Sequence, residues 1–335
     1  MKDSPTIELN DEPEAARHVP IETLRSLSQV RASRVAAAIA LNWSVLLLAL
    51  VAVLWIDRPL AYILGVLVIG NRQYALLLLT HECAHYSFRR RASERSSLAW
   101  LTNDRIGNVT CAWPIGLTVQ RYRALHFDHH RYLGTDGDPD YGYYLWRMTP
   151  WRLTKMIVGG LLGIRALHTA LLYYRPSALR RRPSKDSAAP GRSLASLGVV
   201  VTHLIIAGAF IACGRWYAYP LLWLLPIFTI APTLNHLRTT AEHCEQPLPT
   251  TRSSAPTTRT HVPNAIERAI FAPVEFCFHH EHHLFPSVPF TDLRELHLLL
   301  TATGYYGDRD DLVRTSYLRT LCELCRSDGA ERRDA

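Results

Sequence analysis

The fold is decided by residues 35–56, VAAAIALNWSVLLLALVAVLWI, a stretch without a charged side chain. An α-helix needs about 20 apolar residues to cross the hydrocarbon core of a bilayer, so this stretch predicts a membrane span. Three further stretches predict spans at about 60–80, 194–213 and 216–234. Because only a short turn separates the members of each pair, we expect four transmembrane helices in two hairpins.

The positive charges predict the orientation of these spans. Each short turn carries a single arginine, whereas the flanks of the long middle segment are rich in basic residues: Arg89, Arg90, Arg91, Arg95, Arg180, Arg181, Arg182 and Lys185. Basic flanks favour the cytoplasmic side of a membrane. We therefore expect an all-α, multi-pass membrane protein whose middle segment and termini form a cytosolic helical cap.

The N-terminal sequence, the cysteines and the net charge indicate how the chain is organised and which partners it has. Residues 1–34 lack the apolar core of a signal peptide and are interpreted as a cytosolic tail and lead-in, disordered to about Val19, followed by one membrane domain at 35–335. Seven scattered cysteines indicate no disulfide framework. The net charge is 37 − 29 = +8, but the arginines adjoin the spans without interleaved aromatic residues. We therefore expect anionic headgroups or an acidic protein as partners, and no nucleic acid.

Most of the sixteen histidines fall into four clusters. The clusters are HECAH at 81–85, HFDHH at 126–130, the stretch 236–243, and HHEHH at 279–283. On a helix, residues at i, i+3 and i+4 share one face. The pattern HxxHH, which occurs twice, therefore predicts three imidazoles pointing in one direction from each of two helices.

Convergent imidazoles indicate bound metal. Neutral imidazole is a ligand for iron, zinc and copper, and the clustered nitrogens outnumber the roughly four to six positions of one ion, so two ions are expected. Structural zinc would normally include cysteine, which these clusters do not offer in ligand spacing. In the 236–243 cluster we favour His243 as a ligand over His236.

These residues resemble the integral-membrane fatty-acid desaturase and hydroxylase superfamily, which has three histidine boxes and a non-haem di-iron centre. Residues 81–85 resemble its first box, 126–130 its second, and 279–286, ending in Leu-Phe-Pro, its third. Residues 240–243 are similar to the additional histidine that the family places after its fourth span. The resemblance implies two iron ions and nine ligands: His81, His85, His126, His129, His130, His243, His279, His282 and His283.

The resemblance also implies an activity, an O2-dependent desaturase that introduces a double bond into an acyl lipid. Removal of hydrogen from an unactivated carbon requires a strong oxidant derived from dioxygen. The chain contains no His-Pro-Gly-Gly segment of a fused haem-binding donor domain. We therefore expect electrons from a separate ferredoxin or b-type cytochrome, which the basic cytosolic face would attract.

Other functions stay open on the sequence alone. The sequence His-His-Glu-His-His of the third box is similar to that of carotenoid ketolases. It is preceded by Cys277-Phe278, where many desaturases carry Asn-Tyr. A hydroxylase or ketolase acting on a lipid or carotenoid is therefore an alternative. A second alternative is a desaturase of a small hydrophobic metabolite, an amino-acid-derived enol ether of the rhizobitoxine type. From a different class, the clusters could belong to a metal-binding or transport protein.

Four carboxylates lie inside or beside the boxes: Glu82, Asp128, Glu242 and Glu281. Each could accept the second ring N–H of a histidine ligand and so fix its tautomer. Each could instead be solvated on the opposite face of its helix. The sequence does not separate these two roles.

Overall fold

A computed structural model of the chain describes residues 12–89, 101–135, 137–140, 148–174, 194–243, 258–307, 309 and 311–326. In this part of the chain the α-helices are, in order, α1 (Glu12–His18), α2 (Ile21–Leu27), α3 (Ala32–Ile56), α4 (Pro59–Ala84), α5 (Asn103–Gly107), α6 (Val119–Tyr132), α7 (Pro150–Leu161), α8 (Ile164–Tyr174), α9 (Leu194–Ala212), α10 (Leu225–Phe228), α11 (Ile230–His243), α12 (Ala265–Phe271), α13 (His279–Leu284), α14 (Leu293–Ala302) and α15 (Tyr317–Arg326). The basic flanks at 90, 91, 95 and 180–185 lie outside the described residues.

Shorter segments make up the remaining secondary structure of the described residues. Two π-helices cover Asn108–Ala112 and Tyr219–Leu224, and two 3-10 helices cover Trp113–Ile115 and Pro273–Glu275. Strands β1 (Thr260–His261) and β2 (Val313–Arg314) form a short parallel pair, in which Thr260 lies opposite Val313. The described chain is therefore mostly helical.

Within the described residues, four helical stretches are long and apolar enough to cross a membrane: Ala32–Ile56, Pro59–Ala84, Ala195–Ala212 and Tyr219–His243. Apolar side chains such as Leu48 and Trp55 are exposed on the first of them, as expected for a surface that faces lipid. The fourth stretch is not a regular α-helix. It begins with a π-helical segment and is interrupted at Thr229, whose φ of −122° and ψ of −72° are not helical.

The chain divides into two compact units. One, called here the span unit, comprises Val30–Ala124 and Trp151–Leu237. The other, called the histidine unit, comprises Met1–Gln29, Leu125–Pro150 and Arg238–Ala335. Each unit is described by itself.

In the span unit, the turn between α3 and α4 meets the turn that follows α9. Asp57 adopts a left-handed conformation with φ of 46°, and Pro59 begins the next helix, where its missing N–H costs no hydrogen bond. The Asp57 carboxylate accepts hydrogen bonds from Arg215 Nη1 at 2.9 Å and from the Tyr62 hydroxyl at 2.8 Å. These contacts, with the Arg215 charge, lower the pKa of Asp57 and join the two turns.

In the histidine unit, the amphipathic helices α14 and α15 each bury one face. The last helix, α15, buries Tyr317, Leu321 and Leu324, which have the i, i+4, i+7 spacing of a single helical stripe. Its N-terminus is held by Glu267 of α12, which accepts hydrogen bonds from the Tyr317 backbone N–H at 2.6 Å and the Ser316 hydroxyl at 2.7 Å. The C-terminal helix is therefore fixed to the rest of the unit by a buried carboxylate.

The expected disorder up to about Val19 is wrong for the described residues. Residues 12–18 form α1, in which Ala15 is buried, and Val19 is buried just beyond it. Nδ1 of His18 lies 3.0 Å from the carbonyl oxygen of Thr303. A helix this short is marginal by itself, so its order comes from packing contacts with distant residues.

Candidate metal centre

The second box lies on α6 in the histidine unit. Its three histidines occupy positions i, i+3 and i+4, which places them on one face of the helix. Nε2 of His130 lies 2.9 Å from Nε2 of His126. On the other edge of the cluster, Nδ1 of His129 lies 2.9 Å from Oδ1 of Asp138, which leaves the Nε2 of His129 for another partner.

The third box forms α13, a helix of six residues that are all buried. Nε2 of His283 lies 3.0 Å from Nε2 of His279, and Nε2 of His282 lies 3.2 Å from Nε2 of His130. His280 belongs to a different environment. Its ring nitrogens lie 2.9 Å from the Thr258 hydroxyl and 3.1 Å from the Tyr305 hydroxyl.

His243 closes the arrangement from the last turn of α11. Its Nε2 lies 2.7 Å from Nε2 of His279. His236, the competing choice in the same cluster, instead lies in the span unit with its Nδ1 2.9 Å from Nη1 of Arg165. The sequence favours His243 over His236, and the contacts of the two side chains agree with that choice.

Six imidazoles of the histidine unit form two groups. The ligand nitrogens of His129, His243 and His283 lie within 4.8 Å of one another. Those of His126, His130 and His282 also lie within 4.8 Å of one another. Three segments far apart in the sequence therefore bring six imidazoles into two adjacent clusters.

The first box belongs to the span unit. His81 lies in the last turn of α4 and is buried, and His85 follows as the residue that caps the helix. The two ring centroids are 5.1 Å apart, so both imidazoles point to the same side of the helix end. The expected pairing of positions i and i+4 is present.

The geometry of the histidine unit fits a metal centre. A metal–imidazole bond is about 2.1 Å long, so two nitrogens at right angles around one ion are about 3 Å apart. The observed Nε2–Nε2 distances are 2.7–3.2 Å. A neutral imidazole has one N–H, so several Nε2 atoms this close cannot all be satisfied by one another. Bound cations would satisfy them together.

Burial and charge act differently on two of these imidazoles. Burial, together with neighbouring imidazoles such as that of His130, holds the pKa of His283 well below its usual value, which keeps the ring in its neutral, metal-binding form. Burial also opposes protonation of His129, but the hydrogen bond with Asp138 and the charge of Asp140 raise its pKa above the usual value. The Asp138 carboxylate thus increases the basicity of His129.

The carboxylates beside the boxes have several roles. Oε1 of Glu82 lies 3.4 Å from Nδ1 of His81, and Oε2 of Glu242 lies 3.6 Å from Nδ1 of His279. Glu281 faces away from the clustered imidazoles. It lies 2.5 Å from His297 Nδ1 and accepts hydrogen bonds from the hydroxyls of Tyr306, at 2.6 Å, and Thr260.

Sequence reasoning missed two residues near these imidazoles. The first is Asp138, which is not among the four carboxylates that the sequence singles out, although its Oδ1 lies beside Nδ1 of His129. The acidic stretch 134–140 after the second box is a signal that could have indicated it. The second is Tyr317, whose hydroxyl donates to Glu242 at 3.0 Å. No pattern in the sequence around Tyr317 indicates this contact.

Comparisons with known proteins agree with the histidine pattern. The family model named "Fatty acid desaturase" matches residues 54–310. Dihydrorhizobitoxine desaturase of Bradyrhizobium elkanii is 28% identical over 282 residues, which cover 80% of this chain and 76% of that protein. The match with the family includes all three histidine boxes and ends before α15.

Proposed function

Because this chain belongs to the fatty acid desaturase family, we propose that it is an O2-dependent, membrane-embedded di-iron desaturase. The observation that carries the proposal is the convergence of imidazole nitrogens in the histidine unit, at distances suited to shared ions. Two iron ions would be held by nine histidines: His81, His85, His126, His129, His130, His243, His279, His282 and His283. The first box is assigned to this centre by its place in the family pattern alone.

The chain's own residues have clear tasks in this reaction. An unactivated C–H bond is broken only by a strong oxidant, and bound iron would provide the chemistry that generates this oxidant from dioxygen. The imidazoles hold the ions, and Asp138 holds the proton on Nδ1 of His129 so that Nε2 stays available. All residues of the third box are buried, so bulk water is excluded from that side.

The reaction balances with an external reductant. The substrate loses two hydrogens from adjacent carbons, a separate donor supplies two electrons, and two protons come from the medium. One dioxygen is thereby reduced to two waters. A ferredoxin or b-type cytochrome is the proposed donor, and the net charge of +8 would favour the approach of an acidic protein of this kind.

Two substrates are proposed in order. The first is the acyl chain of a lipid, in keeping with the membrane spans and the family. The second is a small amino-acid-derived enol ether, favoured by the similarity to a dihydrorhizobitoxine desaturase. Positioning of the carbon chain decides between desaturation and hydroxylation, so a hydroxylase or ketolase is the alternative reaction.

The spans are proposed to form two hairpins with the metal centre on the cytoplasmic side. The ion pair between Asp57 and Arg215 supports the hairpins, because it joins the turn after α3 to the turn after α9. Two short turns on one side require the longer connections on the other side. The basic flanks of the middle segment favour the cytoplasm for that second side.

The function is tested on the full chain purified in detergent. We expect about two irons per chain. In cells that express the protein, mass spectrometry of lipids and small metabolites should reveal a product lighter by two hydrogens; a gain of one oxygen would indicate the hydroxylase instead. The variant His129→Ala should abolish turnover, whereas His18→Gln, in the same unit but outside the cluster, should retain it. Reversible zinc uptake without oxygen consumption would contradict the proposal and indicate metal transport.

A further inference from the structure

The C-terminal helix α15 reaches the metal centre through a single hydroxyl. Tyr317 is fully buried at the start of this helix, beyond the part of the chain that matches the desaturase family. Its hydroxyl donates a hydrogen bond of 3.0 Å to Oε1 of Glu242. Glu242 directly precedes the proposed ligand His243. A residue outside the family match is therefore one hydrogen bond away from a carboxylate at the centre.

Glu242 is held from two sides. Its Oε1 accepts from Tyr317, and its Oε2 accepts from Nη1 of Arg238 at 2.5 Å. Oε2 also lies 3.6 Å from Nδ1 of His279, the ring nitrogen opposite the one that faces His243 and His283. The carboxylate is fully buried, so water does not replace either donor.

The position of the Tyr317 hydroxyl is itself fixed. The tyrosine ring stacks on His261 with centroids 4.0 Å apart and planes 10° from parallel. The backbone N–H of Tyr317 donates to Oε2 of Glu267 at 2.6 Å. Because both the ring and the backbone are held, the hydroxyl has little freedom to leave Glu242.

Resting on the proposed function, we propose that Tyr317 is a positioning residue of the metal centre. Together with Arg238, it holds Glu242 in the orientation that receives the Nδ1–H of His279 when Nε2 of that ring binds metal. The present 3.6 Å is longer than a hydrogen bond, and such contacts tighten when a site is loaded. Without the hydroxyl, one carboxylate oxygen loses its donor and Glu242 can turn away from His279.

The test compares two hydroxyl deletions on the same helix. Tyr317→Phe removes the contact with Glu242 and keeps the ring on His261. Thr320→Val removes a buried hydroxyl that lies 3.2 Å from Nε2 of His261 and does not touch Glu242. Full-length proteins are stripped of metal and titrated with Co²⁺, whose visible absorption reports both affinity and ligand geometry. Thermal unfolding of the metal-free proteins reports packing.

We expect Tyr317→Phe to weaken Co²⁺ binding about tenfold and to shift the Co²⁺ spectrum, as outer contacts to ligands typically do. Thr320→Val should bind as the parent does. Glu242→Gln should also weaken Co²⁺ binding. The double variant with Tyr317→Phe should lose little further Co²⁺ affinity, because both substitutions remove the same contact. If Tyr317→Phe does not fold, Tyr317→Leu, which also lacks the hydroxyl, is titrated in its place, and parent-like affinity in that variant overturns the inference.

Parent-like affinity and spectrum in Tyr317→Phe would overturn the inference. So would equal losses in Tyr317→Phe and Thr320→Val that follow their losses of thermal stability, because that result indicates packing only. Failure of the parent chain to bind Co²⁺ would instead overturn the proposed function, and the inference with it. The two failures are thus distinguishable.

Discussion

Asp138 determines which nitrogen of His129 would be available to a metal ion. Its Oδ1 lies 2.9 Å from Nδ1 of His129 and its side chain is fully buried, so water does not compete for the proton. The proton is therefore held on Nδ1, and the lone pair is left on Nε2. Asp140 also faces this nitrogen, but its oxygen is 3.9 Å away and its side chain is partly exposed.

These two aspartates give a matched pair of variants. Asp138→Asn keeps the shape of the side chain but removes its charge, so we expect metal affinity to fall by about 10–100-fold. Asp140→Asn should change the affinity much less, because its longer contact is screened by solvent. Competition with a chelator of known affinity measures both. Equal effects of the two substitutions would show that Asp138 has no special role.

At the scale of elements, the third box depends on its neighbours for its orientation. A six-residue helix such as α13 is unstable by itself. Glu281, on the face away from the clustered imidazoles, contacts His297 of α14, Thr260 of β1 and Tyr306. These contacts fix the face of α13 opposite the clustered imidazoles, and they therefore fix the direction in which the histidines of the third box point.

The packing of β1 against α15 predicts a dependence of stability on pH. Burial, with the charges of Arg259 and Arg314, lowers the pKa of His261 to about 3. An unfolded histidine takes up its proton near pH 6.5. Between these values the unfolded chain binds more protons than the folded one, so the free energy of unfolding falls as the pH falls from 6.5 towards 3.

His261→Gln should reduce this dependence, because glutamine does not titrate. Between pH 7 and pH 5, the metal-free parent should lose about 2 kcal/mol more unfolding free energy than the variant. Denaturant titrations in detergent at each pH measure the difference, and the histidines common to both proteins cancel. Parallel curves for parent and variant would contradict a neutral, buried His261.

At the scale of the whole molecule, the proposed hairpins predict the side of the membrane on which two of the cysteines are found. Cys213 is exposed beside the turn after α9, and Cys322 is exposed on α15. The proposed hairpins place the turn outside the cell and the C-terminal helix in the cytoplasm. A membrane-impermeant thiol reagent distinguishes the two sides.

The accessibility of each cysteine to the reagent is measured with single-cysteine variants in intact cells. We expect the variant that retains Cys213 to be labelled from outside and the variant that retains Cys322 to be labelled only after permeabilisation. A chain without cysteine gives the background. Labelling of both positions from the same side would contradict the cytosolic placement of the histidine unit.

The family and the histidine boxes could be predicted from local sequence. The pattern HxxHH is a helical repeat, so the shared direction of His126, His129 and His130 follows from the geometry of one helix. The partner of His129 did not follow, because Asp138 reaches it only through the turn after α6. Nor did the order of α1, a short helix whose His18 contacts Thr303, far away in the sequence.

By itself, the sequence determined the four membrane-spanning stretches, the membership in the desaturase family and the candidate imidazoles, because apolar length and helical spacing are local properties. Only the tertiary structure brought Asp138 to His129 and Tyr317 to Glu242. These choices depend on contacts between residues far apart in the chain. Such contacts form because they are favourable in the packing of the whole folded molecule, so they cannot be predicted from the sequence of a single segment.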